Sequence, residues 1–94
     1  MVQVIENRAV VEGRLLEIRD DPSRAGHKIL VLDVLSVRSV EPFPNLLGGI
    51  QGNRIEAVMP AAHASSLKLG GAVRCRARRA GPSTVFVEEC VAID

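Results

Sequence analysis

The stretch Val73-Arg74-Cys75-Arg76-Ala77-Arg78 places a guanidinium at every second position, and Arg79 follows directly. In an extended strand successive side chains point to opposite faces, so Arg74, Arg76 and Arg78 share one face and the small apolar residues share the other. A row of fixed cations on an outer sheet face suits phosphate: it neutralises a polyanion and positions it without reading sequence. The plainer role is a solvated hairpin surface. If Gly81-Pro82-Ser83 is a three-residue loop, Arg76 falls opposite Glu88, Arg78 opposite Phe86 and Arg74 opposite Cys90. That register gives one ordinary cross-strand ion pair and one cation against an aromatic ring.

Arg14, Lys28, Arg38 and Arg54 add bases dispersed over the earlier part of the chain. Phe43 is a candidate for stacking on a nucleobase, because it sits in a long loop between Arg38 and Arg54; Phe86 is the other aromatic residue. Phe43 also belongs to an apolar cluster with Leu46, Leu47 and Ile50, which suits packing on the domain itself or an oligomer interface.

Other reactive residue types assemble into no site. His27 and His63 have no Cys or carboxylate at metal-ligand spacing, so no metal and no cofactor is expected. Asp20-Asp21 precedes Pro22 in a turn, where Asp is expected on backbone grounds. Gly48-Gly49-Ile50-Gln51-Gly52 lacks the Lys-Ser/Thr of a phosphate loop. In the hairpin register above, Cys75 points inward and Cys90 outward beside Arg74, so no disulfide is expected between them. With no nucleophile, base and orienting group in one segment, the chain reads as a non-enzyme.

The elements that must carry these residues follow from composition and pattern. The 94 residues, 47% of them hydrophobic, suffice for one domain over 1–94. Twelve Lys and Arg against 11 Asp and Glu leave a net charge of +1, so affinity for a polyanion has to come from a local patch. No apolar run approaches the ~18 residues of a membrane helix, and Met1–Glu6 lacks the basic start of a leader, so a cytoplasmic location is expected. With no Trp, no Tyr and two Phe, the core must be aliphatic and rich in β-branched residues, which favour strands.

Five strands are predicted, at 8–19, 28–40, 54–59, 73–79 and 84–93. Gly13 within the first suggests a bulge or sharp bend. The second is apolar on both faces over Ile29–Leu32, as in a strand covered by a loop or a partner. Ala61–Leu69 reads as one or two helical turns ended by Gly70-Gly71. The order strand, strand, strand, short helix, strand, strand is that of an all-β, five-stranded OB-like barrel.

Asn7-Arg8-Ala9-Val10-Val11-Glu12-Gly13-Arg14-Leu15, then Asp21-Pro22, then Ser23-Arg24-Ala25-Gly26, resembles the opening of the bacterial single-stranded-DNA-binding protein family and the related primosomal replication protein N. Leu67-Lys68-Leu69-Gly70-Gly71-Ala72-Val73 is similar to the leucine, glycine and valine run that enters their fourth strand. The resemblance implies a homodimeric module of DNA replication that binds single-stranded nucleic acid, DNA rather than RNA. Arg14, Lys28, Arg38, Arg54, Arg74, Arg76 and Arg78 would contact phosphates, with stacking on Phe43 or Phe86. The alternatives are an assembly module joined through loop residues 43–50, and a small-anion barrel similar to molybdate-binding domains, suggested by the pattern over Ile55–Val73.

Overall fold

A computed structural model describes residues 6–64, 66–81 and 84–93. Aliphatic residues alternate with polar ones through most of the chain and build five strands: β1 (Ala9–Asp20), β2 (His27–Ser39), β3 (Arg54–Pro60), β4 (Ala72–Arg79) and β5 (Val85–Ala92). They close into a barrel in the order β1-β2-β3-β5-β4, with β4 returning to β1, which is the OB-like arrangement the element order predicts. All neighbours are antiparallel except β3 and β5, which meet in a short parallel contact at Ala57–Val85 and Val58–Phe86.

β1 serves two parts of the sheet. Its first half pairs with the end of β2 (Val10 opposite Arg38) and with β4 (Val10 opposite Arg76), while its second half pairs with the start of β2 (Arg19 opposite Ile29). The bend between them falls where expected, with register shifts at Glu12/Gly13 and Leu15/Glu17. Glycine is required there for space: a Cβ on Gly13 would overlap the Asp33 carbonyl oxygen. Leu15, Leu30, Leu32, Leu47 and Met59 fill the barrel as its largest fully buried side chains. Burial of each contributes about 1.5–3 kcal/mol.

Asn7 seals the entry. Its buried side chain donates from Nδ2 to the Arg79 carbonyl (3.0 Å) and accepts from the Arg79 N–H at Oδ1 (2.8 Å), so an amide side chain continues the β4 ladder.

Two expectations are corrected. The helix over Ala61–Leu69 is a single 3-10 turn at Ala61–His63; Ser65 lies outside the described residues. The chain beyond it spends its backbone groups on β1 instead, with Gly70 N–H donating to Leu15 O (2.6 Å) and Leu15 N–H to Gly71 O (3.0 Å). A second 3-10 turn at Gly48–Ile50 lies in the loop between β2 and β3. Leu47, expected at an oligomer interface, is instead fully buried in the barrel core, and Ile50 packs against that core. Among the described residues, no helix is long and apolar enough to cross a membrane.

Candidate functional site

Alternation along β4 places Val73, Cys75 and Ala77 in the core and leaves Arg74 and Arg76 exposed and Arg78 half-buried on the outside. Against β5, Arg78 lies opposite Phe86 as expected. Beyond it the ladder shifts by one residue between Arg76 and Ala77, so that Arg76 faces Glu89, Cys75 faces Cys90 and Arg74 faces Val91. Because strand side chains have a period of two, this extra residue moves every later β5 side chain to the other face. Cys90 therefore points inward, not outward, and Glu88 is the residue left over. Glu88 ion-pairs with Arg8 (2.7 Å) and lies 3.8 Å from Arg78. The β4–β5 connection includes Pro82 and Ser83, which lie outside the described residues.

One end of the arginine row is organised by Glu12 on β1. Its Oε2 accepts from Arg74 Nε at 2.7 Å and lies 3.6 Å from Arg38, while Ser36 Oγ donates to Oε1 at 3.4 Å. The Arg74 hydrogen bond holds the Glu12 carboxyl below its ordinary pKa, helped by the charges of Arg74 and Arg38. One pair further along, Val10 sits in register between Arg38 and Arg76. Arg76 has no ion pair among the described residues. Val10, Arg74, Arg76, Glu89 and Val91 enclose a shallow cleft of about 130 Å³.

At the other end, the Phe86 ring is approached by two guanidinium groups, those of Arg78 and Arg24, each 5.3 Å from the ring centroid. Arg24 comes from the turn between β1 and β2. That turn is braced by buried Asp21, which accepts from Ser23 N–H (2.8 Å) and pairs with Arg24 (3.1 Å). The Ser23 hydrogen bond is the main cause holding the Asp21 carboxyl below its usual range, with Arg24 adding to it. Beside this ring opens a cleft of about 220 Å³ lined by the apolar Ile29, Val58 and Val85 and by the charged Asp21, Arg24 and Glu56. It lies against β2 and β3, between the β1–β2 turn and the start of β5.

The remaining predicted bases do not join this row. Arg14 and Arg54 flank Asp33 across β1, β2 and β3, and Arg14 also donates to Gly70 O (3.3 Å). Lys28 pairs with Asp20 at 2.6 Å. Phe43 is half-buried beneath Arg8, 5.1 Å from its ring centroid. Of Leu46, Leu47 and Ile50, Leu46 alone is exposed, at 37%. Sequence reasoning missed Arg24 and the apolar residues Val10, Val58 and Val91 as parts of an outer surface. Arg24 meets Phe86 only through barrel closure, so no local signal could have found it.

Among the described residues, no three His, Cys, Asp or Glu gather as a metal site. No protein-family model matches the chain, and no curated protein matches it in sequence.

Proposed function

We propose that the barrel binds single-stranded nucleic acid, DNA by the resemblance of its opening segment, along a path from Arg74 and Arg76 to Phe86 and the cleft beside it. The observation that carries this reading is the continuity of that path. One strand presents Arg74, Arg76 and Arg78 outward, and Arg78 lies on the ring that Arg24 also covers. Guanidinium groups two positions apart along a strand meet successive phosphates of an extended backbone, and the apolar lining of the cleft and the ring accept bases. Arg24, Arg38, Arg74, Arg76 and Arg78 face Glu12, Asp21, Glu88 and Glu89, so most of the arginines are already in ion pairs or close to a carboxylate. The pairs of Arg38 and Arg74 with Glu12 and of Arg78 with Glu88 are partly exposed and contribute little net stability, so a phosphate exchanges with those carboxylates at small cost, whereas buried Asp21 keeps Arg24 in place. Affinity in this reading is modest and salt-sensitive.

The test is fluorescence anisotropy of a labelled single strand of about 16 nucleotides, against the matching duplex, at low and physiological salt. Binding of the single strand that weakens steeply with salt supports the reading, and no binding at low salt rejects it. The homodimer that the family resemblance implies is read from the molar mass in solution.

A further inference from the structure

We propose that Cys75 and Cys90 form a dithiol site that hydroperoxides oxidise to an intramolecular disulfide, reversibly joining β4 to β5 inside the barrel. The inference is independent of the nucleic-acid reading. It rests on the one-residue shift in the β4–β5 ladder, which brings two cysteines directly opposite each other on the inner face. Directly opposed residues of an antiparallel pair have Cα atoms about 4.5–5.5 Å apart. That range falls inside the ~4.4–6.8 Å window a disulfide requires. The two Sγ atoms are 2.8 Å apart and both thiols are free. Each sulfur already lies against the other, so bond formation needs side-chain adjustment and no movement of the strands.

The two thiols are not equivalent. Cys75 is fully buried, whereas Cys90 retains 7% exposure. Their mutual hydrogen bond and burial raise the Cys75 pKa, and the same hydrogen bond lowers that of Cys90. Cys90, the residue an oxidant can reach, is the attacking sulfur and Cys75 the resolving one. The Cys90 thiolate attacks one oxygen of hydrogen peroxide; the O–O bond breaks, and hydroxide leaves and takes up the proton Cys90 released, as water. The Cys75 sulfur then attacks the Cys90 sulfenic acid; an S–S bond forms, the S–O bond breaks, and the oxygen leaves as a second water carrying the Cys75 proton. The sulfurs together lose two electrons and the peroxide gains two.

The experiment exposes the reduced, folded chain to hydrogen peroxide, then unfolds and alkylates it for intact-mass and peptide analysis. The expected result is a monomer lighter by two hydrogens, with both thiols protected, restored by dithiothreitol. Its unfolding midpoint should lie about 5 °C or more above that of the reduced chain. In Cys75→Ser, Cys90 should yield a sulfenic acid trapped by dimedone. In Cys90→Ser, Cys75 should oxidise at least about tenfold more slowly. Both thiols remaining alkylatable while a cysteine peptide in the same tube is oxidised would overturn the proposal, as would disulfides formed only between chains.

Discussion

Arg78 and Phe86 face each other directly across the β4–β5 ladder, with the guanidinium carbon 5.3 Å from the ring centroid. A cation over an aromatic face at this distance is attracted by the ring quadrupole. In the proposed reading it also sets Arg78, at the end of the outward β4 row, beside the ring that would take a base. Since Arg24 lies over the same ring at the same distance, Phe86 couples β4 to the β1–β2 turn.

Replacement of Phe86 by Ala removes this platform. Base stacking on an aromatic side chain is worth about 1–3 kcal/mol, so single-strand affinity should fall about 5- to 150-fold. Phe86→Tyr keeps the ring and should stay within about threefold of the parent. Anisotropy titrations of both variants, with circular dichroism to verify folding, check the difference.

Arg76 is exposed and has no ion pair among the described residues, so Arg76→Ala should leave the unfolding midpoint nearly unchanged. Its effect should appear in the salt dependence. For a single strand, each phosphate that is no longer neutralised lowers the magnitude of the slope of log K against log salt by about 0.7. Titrations across a salt series measure that slope.

In the proposed reading Glu12 competes with the ligand, because it holds Arg74 and Arg38 that a phosphate would otherwise engage. Glu12→Gln should therefore tighten binding and steepen its salt dependence, the reverse of the arginine variant. The carboxyls of Glu12 and Asp21 both have pKa values lowered in the folded chain. Their stabilisation is thus complete above the ordinary carboxylate range near pH 4 and is lost as pH falls through the lower folded values. Urea midpoints from pH 6 to 2 should decline on acidification, and Glu12→Gln should flatten part of that decline.

Gly13→Ala forces a methyl group into the Asp33 carbonyl at the bend of β1. Overpacking of this kind costs about 1–3 kcal/mol, and the strand backbones must separate to relieve it. Chemical denaturation should show a lower midpoint, with binding at saturating concentration retained.

The barrel is legible in the sequence because alternation and turn residues specify strands locally. Gly13 announces the bend, and the Arg78–Phe86 pairing follows from counting through the hairpin. The count fails one turn further on, since the extra residue at Glu88 leaves no compositional mark, and with it fails the placement of Cys90. Leu47 reads as an exposed loop residue because it stands among Pro and Gly, yet the loop folds back to deliver it to the core. The segment after Pro60 has helix-forming alanines, but its bonds to Leu15 take precedence over a longer helix. Arg24 at Phe86 depends on closure of the whole barrel, which spacing along the chain does not reveal.

The most direct test is the binding of one labelled single-stranded DNA to the parent chain and to Phe86→Ala, measured at low and at physiological salt. The account predicts parent binding that weakens with salt and exceeds binding to duplex, together with a clear loss in Phe86→Ala at both salts. Equal affinity of parent and variant, or no binding of the single strand at low salt, would contradict it.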